Sequence, residues 1–120
     1  MTDQDLYEQA REASRAAYAP YSNFLVGAAA LLRDGSVVTG VNVENASYPV
    51  GMCAERCAIA RAVVQGARPG DFEAIAVTAS PCGACRQWIA EFGVDRVIFL
   101  HEGELLTRRP DELLPDSFEL

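Results

Sequence analysis

Three cysteines and one acidic residue have the types and the spacing of a catalytic metal site. Cys53 is followed two positions later by Glu55, and a second stretch further along the chain contains Cys82 and Cys85. A catalytic zinc site typically has three protein ligands and an open fourth position for water. A carboxylate beside the metal that does not bind it can transfer protons. We therefore expect Cys53, Cys82 and Cys85 to bind zinc and Glu55 to move protons.

Two predicted helices would position these side chains. The pattern favours helices at about 53–65 and 83–92, each followed by a glycine. The free N–H groups at a helix N-terminus favour a thiolate over a thiol. A spacing of three residues places Cys82 and Cys85 on one helical face. Two helices that start from the same edge of a sheet would bring Cys53 to the same ion.

Two arginines follow the candidate ligands closely. Three thiolates around a divalent cation leave a net negative charge, which weakens the metal as a Lewis acid. Arg56, and in the same way Arg86, could reduce this charge by donating hydrogen bonds to the sulfur atoms. We expect Arg56 in particular to act on the metal site through such a bond.

The cysteines have two other interpretations. Cys82 and Cys85 could form a thioredoxin-like redox pair. Alternatively, Cys57 could join a structural four-cysteine zinc site, because it lies one helical turn from Cys53. That site would leave the acidic and basic residues between them without a role, so we expect Cys57 to be a small buried core residue. His101, which follows a strand and precedes a turn, is interpreted as a surface residue.

Short apolar segments predict a mixed sheet between layers of helices. The predicted strands are 24–32, 36–42, 73–79, 96–100 and 104–107, after a first helix at 3–18. Asp34-Gly35 is typical of a tight hairpin, which makes the first pair antiparallel. Strand–helix–strand alternation in the second half implies parallel pairing there. We expect one domain, 1–120, with a three-layer α/β/α fold, a mixed five-stranded sheet and a first strand buried on both faces.

The charge composition restricts the partners. The net charge is -7, which disfavours binding to DNA or RNA, and a neutral small molecule is the more natural ligand. All ten basic residues are arginines, so Schiff-base chemistry and a P-loop lysine are excluded. The longest apolar run, 24–32, is too short to span a bilayer. We expect a cytoplasmic protein whose cysteines are ligands or core residues.

Residues outside the cysteine motifs carry a resemblance to a known enzyme family. Cys-Ala-Glu followed by Pro-Cys-x-x-Cys is the signature of zinc-dependent nucleobase and nucleoside deaminases. The chain resembles in particular the small, homotetrameric cytidine deaminases that act on free nucleosides. The similar segments cover nearly the whole chain and are 18–24, 26–28, 40–48, 53–56, 80–87 and 112–115, followed by Phe118.

The resemblance implies a reaction and an assembly. The reaction is zinc-dependent hydrolysis of cytidine and 2′-deoxycytidine to uridine and 2′-deoxyuridine plus ammonia, in pyrimidine salvage. One zinc ion per subunit would activate water, and Glu55 would carry protons to N3 and to the leaving amino group. In a homotetramer, Phe118 would reach into the pocket of a neighbouring subunit, and the loop 46–48, which ends at Tyr48, would border a neighbour's site.

The resemblance also implies contacts with the substrate. Phe24 would pack against the pyrimidine ring, and Asn42 and Glu44 would hydrogen-bond the ribose hydroxyls. Backbone groups at Ala54, next to the first ligand, and at Pro81 would hold the edge of the pyrimidine.

Three other functions stay open. A deaminase of another aminopyrimidine, such as a cytosine-containing antibiotic, would use the same zinc and Glu55 with different sugar contacts. A polynucleotide-editing deaminase usually has histidine in place of Cys53 and a basic stripe, which this chain lacks. A non-catalytic, zinc-stabilised subunit would have no need of Glu55.

Overall fold

In the computed structural model, which describes residues 1–120, helices cover both faces of a five-stranded sheet. The strands are β1 (Gly27–Leu32), β2 (Val37–Val41), β3 (Phe72–Val77), β4 (Arg96–His101) and β5 (Glu104–Arg108). The helices are α1 (Asp3–Ser14), α2 (Ala54–Val64), α3 (Gly83–Glu91) and α4 (Pro110–Leu113), with a 3-10 turn at Tyr48–Val50. The predicted three-layer α/β/α fold with a mixed sheet is confirmed. None of the helices has the length and hydropathy needed to cross a membrane.

The sheet topology brings two helix N-termini together. The strand order is β2-β1-β3-β4-β5, and only β3 and β4 pair in parallel. Because β1 is antiparallel to both β2 and β3, those two strands run in the same direction. Helix α2 follows β2 and α3 follows β3, so both helices begin at the same end of the sheet. The amino end of β1 lies at that end too.

Strand β1 begins at Gly27 rather than at the predicted residue 24, and from Gly27 it is buried on both faces as predicted. Phe24 and Leu25 are exposed instead, because they belong to the loop that lies before the sheet. Alternate residues of a strand point to opposite faces. Ala29 and Leu31 pack with residues of α1, including Leu6 and Ala10. The other alternate residues of β1 belong to a second cluster, which contains buried residues of α2 and α3. The sheet therefore separates α1 from the two helices that carry the cysteines.

Helix α1 ends earlier than predicted. Thr2 caps it through reciprocal hydrogen bonds with Asp5, and the helix ends at Ser14, so the predicted continuation to residue 18 is wrong. Tyr18 instead pairs with the chain just after β2: its N–H donates to Asn42 O at 3.0 Å, and its carbonyl accepts from Glu44 N at 2.9 Å. The segment after α1 is thereby joined to the end of the sheet where α2 and α3 begin.

Helix α2 contacts β2 closely because Gly40 has no side chain. A Cβ at Gly40 would lie 2.3 Å from Ala58 N and 2.5 Å from Ala54 O, both backbone atoms of α2. Gly40→Ala should therefore displace α2 and lower the free energy of unfolding by about 1–3 kcal/mol. Chemical denaturation measures the change. Gly83→Ala is the matched control, since a Cβ there meets nothing within 4 Å. Equal unfolding free energies for Gly40→Ala and wild type would contradict this packing.

Candidate active site

Three cysteine sulfurs meet where α2 and α3 begin. Cys53 is the N-cap of α2, Cys82 is the N-cap of α3, and Cys85 lies in the first turn of α3. Their sulfur atoms lie within 4.8 Å of one another, and the Cys53 and Cys82 sulfurs are 3.8 Å apart. Tetrahedral zinc with Zn–S bonds of about 2.3 Å requires sulfurs about 3.8 Å apart. The donor set therefore fits zinc.

Hydrogen bonds within this group shift the pKa values of two of the thiols in opposite directions. A hydrogen bond from the Cys85 thiol, assisted by Arg56, lowers the pKa of Cys53 to about 5. The same hydrogen bond and the burial of Cys85 raise the pKa of the Cys85 thiol. Cys85 is completely buried, whereas Cys82 is exposed. A cation that binds here would displace the remaining protons, as metal ions do at thiol sites.

Arg56 makes the hydrogen bond to sulfur that we expected. One of its terminal nitrogens donates to Cys53 Sγ at 3.8 Å and to Gly51 O at 2.9 Å. Its Nε is buried and has no hydrogen-bond partner within the chain. A guanidinium in this position places positive charge against the thiolates and reduces the net negative charge of the site.

Arg86 does not reach a sulfur, contrary to expectation. Its Nε donates to Pro81 O at 2.9 Å, and its terminal nitrogens donate to Leu113 O at 3.0 Å and to Ser80 Oγ at 3.4 Å. The reason is geometric: Arg86 points back along the loop that precedes Cys82. It thereby connects that loop to α4 near the end of the chain.

Loss of this connection should destabilise the protein. Arg86→Ala removes donors from two backbone carbonyls, and we expect the free energy of unfolding to fall by about 2 kcal/mol. Denaturant titration measures the change. Arg11→Ala is the control, because Arg11 makes only an exposed ion pair with Glu8, whose loss should cost less than about 1 kcal/mol. Equal losses of unfolding free energy in Arg86→Ala and Arg11→Ala would show that the hydrogen bonds of Arg86 contribute no more to stability than an exposed ion pair.

A cavity of about 510 Å³ opens beside the sulfurs. The residues singled out from the sequence that line it are Phe24, Asn42, Glu44, Tyr48, Cys53, Ala54, Glu55, Arg56 and Cys82. Glu55 is only 3% exposed, and this burial raises the pKa of its carboxyl group to about 7. The arrangement therefore combines a metal-binding donor set, a buried carboxylate and room for a small molecule.

The side chains of Asn42 and Glu44, which also line the cavity, are already held in place. Asn42 accepts from Val26 N at 2.8 Å and donates to Phe24 O at 2.9 Å, which fixes the orientation of its amide. Glu44 accepts from Tyr21 N at 2.9 Å and from the backbone N–H of Ser22 at 3.1 Å. These bonds connect the residues after β2 to the loop that carries Phe24.

The loop between β2 and α2 folds back on itself. The N–H and carbonyl groups of Val43 and Met52 bond to each other in both directions at 2.9 Å. This bridge brings Cys53, at the end of the loop, next to Asn42 and Glu44 at its start. The same loop thereby contributes both polar residues of the cavity and one of the three cysteines.

Three residues that the sequence analysis discussed belong neither to the cavity lining nor to the group of three sulfurs. Phe118 is 68% exposed, does not line the cavity, and its carbonyl accepts from Gln87 Nε2 at 3.0 Å. Cys57 is partly rather than fully buried and does not belong to the group of three sulfurs. His101 is exposed, 3.9 Å from Glu102. The geometry favours three cysteine ligands over four.

Sequence reasoning missed several residues of the cavity wall. Most are apolar or make only backbone contacts, but Ser22 has a hydroxyl that bonds to Glu44. The only signal for Ser22 was its place in the segment 18–24, which carried part of the family resemblance. Nothing in that segment distinguished Ser22 from its neighbours.

Comparison with known proteins agrees with this geometry. Residues 1–101 match the model of the cytidine and deoxycytidylate deaminase zinc-binding region. A cytidine deaminase of Halalkalibacterium halodurans is 46% identical, over 98% of this chain and 95% of its own. One of Mycobacterium tuberculosis is 44% identical, over 92% of this chain and 85% of its own.

Solved structures are similar over the whole fold. The crystal structure of a cytidine deaminase from Burkholderia pseudomallei superposes with a TM-score of 0.91 at 47% identity, over 98% of this chain and 100% of that one. The cytidine deaminase structure from Mycobacterium tuberculosis gives 0.85 at 40% identity, over 100% of this chain and 99% of that one. The likeness thus extends from the cysteine motifs to the complete sheet and its helices.

Proposed function

Because this chain belongs to the cytidine and deoxycytidylate deaminase family, we propose that it hydrolyses cytidine and 2′-deoxycytidine to uridine and 2′-deoxyuridine. Water is consumed and ammonia is released. The observation that carries this proposal is the buried Glu55 in a cavity that is also lined by Cys53 and Cys82, two members of the cysteine trio that fits zinc. A purely structural zinc site has no use for such a carboxylate.

Cys53, Cys82 and Cys85 would hold one zinc ion per subunit. When bound, zinc supplies a Lewis acid that makes water nucleophilic at neutral pH. The positions of Cys53 and Cys82 at helix N-termini favour their thiolate forms. Arg56 would limit the negative charge of the three thiolates through its bond to Cys53.

Glu55 would transfer the protons that the reaction moves. Its carboxylate takes a proton from the attacking water and gives it to N3 of the pyrimidine, which makes C4 more electrophilic. After attack at C4, the carboxylate takes the proton of the hydroxyl group now on C4 and delivers it to the amino nitrogen. The C4–N bond then breaks, ammonia leaves and C4 becomes the carbonyl carbon of uridine. Burial keeps bulk water away from Glu55, so that its proton passes to the substrate.

The remaining cavity residues would bind the nucleoside. Phe24 would pack on the pyrimidine ring, and the backbone at Ala54 would bind the edge of the ring. Asn42 uses one amide hydrogen on Phe24 O and keeps a second one for a ribose hydroxyl. Glu44, an acceptor when ionised, would take a hydrogen bond from the sugar. Tyr48, which lines the same cavity, would also border the site of a neighbouring subunit.

The activity is tested directly by absorbance. Protein purified with about one zinc per chain, as the site requires, should remove the cytidine absorbance band and release one ammonia for each uridine formed. Zinc content is measured on the same sample. Full zinc occupancy without any loss of cytidine or deoxycytidine would reject the proposed function. Free cytosine and blasticidin S serve as comparison substrates for the other deaminase activities.

We also propose that the chain forms a homotetramer whose active sites are completed by neighbouring subunits. Large exposed apolar side chains support this assembly: Tyr48 at the cavity is 73% exposed, and Phe118 is 68% exposed outside it. Phe118 would enter the site of a neighbour. Light scattering coupled to gel filtration measures the mass, and a monomer that is fully active at all concentrations would contradict the proposal.

We also propose a cytoplasmic location, because the four free cysteines suit a reducing compartment.

A further inference from the structure

The hydroxyl of Ser22 lies between a backbone amide and a carboxylate. Phe24 N donates to Ser22 Oγ at 3.0 Å, and Ser22 Oγ in turn donates to Glu44. A serine hydroxyl has one hydrogen to give and two lone pairs that accept. Because the amide of Phe24 supplies the hydrogen for one lone pair, the hydrogen of the hydroxyl is directed to Glu44.

Glu44 is surrounded by donors from this one loop. One of its oxygens accepts from the backbone N–H groups of Tyr21 and Ser22, and the other accepts from the Ser22 hydroxyl. The hydroxyl bond is the largest influence on the pKa of Glu44, which lies below its ordinary value. The carboxylate therefore stays ionised and keeps a fixed orientation, with lone pairs left for a ligand that donates.

Besides Glu44, the side chain of Asn42 holds this loop, through Phe24 O and Val26 N. Residues 21–25 are exposed and belong to no helix or strand. Asn23 has a φ of 57°, in the left-handed region, and its N–H bonds to Ala19 O at 3.0 Å. The position of the loop relative to Glu44 thus depends on the hydrogen bonds that Glu44 and Asn42 make to it.

We propose that Ser22 is a positioning residue for sugar recognition, which acts through Glu44. Its hydroxyl orients the Glu44 carboxylate toward the sugar hydroxyls of the nucleoside. This inference rests on the proposed function, in which Glu44 accepts a hydrogen bond from the sugar. When a nucleoside fills the cavity and displaces water, the bond from Ser22 to a charged group becomes more important than in the open site.

The test compares three serine variants on two substrates. Ser22→Ala should lower kcat/KM for cytidine about tenfold, the scale of one hydrogen bond to a charged group, mainly through a higher KM. Ser22→Thr keeps the hydroxyl and should restore most of the activity. Ser36→Ala is the matched control, because Ser36 also donates to a carboxylate, Asp34, in the β1–β2 turn remote from the cavity, and it should behave as wild type.

The second substrate shows whether Ser22→Ala weakens recognition of the sugar or lowers activity on every substrate. 2′,3′-Dideoxycytidine lacks the hydroxyls that Glu44 would accept from, so Ser22→Ala should change its kcat/KM by less than about threefold. The dissociation constant of the product uridine, measured by calorimetry, should rise in Ser22→Ala by the same factor as the KM for cytidine. This readout does not depend on turnover.

The outcomes distinguish this inference from the proposed function. Wild-type protein that does not deaminate cytidine would reject the proposed function itself. If wild type is active, a Ser22→Ala variant with unchanged cytidine kinetics overturns the role of Ser22 alone. Equal losses on cytidine and dideoxycytidine, or a Ser22→Thr variant as impaired as Ser22→Ala, also overturn it, because the effect would then not pass through Glu44.

Discussion

Replacement of Glu55 by glutamine should lower kcat for cytidine by about 10³- to 10⁴-fold and leave the zinc content unchanged. Glutamine has the shape of glutamate but cannot accept and return a proton. The proposed reaction uses the carboxylate twice, once for the attacking water and once for the leaving ammonia. Loss of both transfers explains the size of the expected effect.

The unchanged zinc content follows from the position of Glu55. It lies in the first turn of α2 and lines the cavity, but the group of side chains that could hold a metal consists of the three sulfurs alone. Steady-state kinetics and metal analysis on the same preparation measure both quantities.

A matched variant shows whether the loss of activity comes from position 55 itself or from any change of glutamate to glutamine. Glu91→Gln makes the same chemical change at an exposed position at the end of α3, and it should be fully active. Activity of Glu55→Gln within tenfold of wild type would assign the proton transfers to another group. Loss of zinc from Glu55→Gln would instead make Glu55 a ligand, contrary to the three-cysteine site.

The features that could be predicted from the sequence depend on short-range patterns. The apolar run at 24–32 predicted a strand buried on both faces, because alternation of side chains leaves no polar face there. This is right for 27–32, but Phe24 and Leu25 precede the strand and are exposed. The glycines after α2 and α3 predicted where those helices end. The N-cap positions of Cys53 and Cys82 followed from the pattern of the helices that they precede. Parallel direction of the strands before these helices then brings the sulfurs together.

The features that could not be predicted depend on partners distant in the sequence. Helix α1 stops at Ser14 because Tyr18 pairs with the chain near Asn42, and no local signal shows that pairing. Arg86 follows Cys85 directly, which suggested a bond to sulfur, yet a donor-rich guanidinium is better satisfied by carbonyls, one of them at Leu113. Likewise, the bond from Ser22 to Glu44 exists only once β1 and β2 have paired.

Replacement of Cys85 by alanine should reduce zinc from about one ion per chain to near zero after dialysis, and should abolish activity with it. Cys85 is the buried member of the trio and donates the hydrogen bond that lowers the pKa of Cys53. Its loss leaves two sulfurs on different helices, which cannot supply the three protein ligands of a catalytic site. Metal analysis and cytidine turnover measure both effects.

Cys57→Ala is the matched control for this change. Cys57 lies one turn after Cys53 on α2, but its sulfur does not belong to the group that could hold a metal. The Cys57→Ala variant should keep its zinc and its activity, with at most a modest loss of stability from the missing sulfur. If Cys57→Ala lost zinc as Cys85→Ala does, the site would be a closed four-cysteine centre. Such a centre leaves no coordination position for water, and the proposed hydrolysis at this metal would then be impossible.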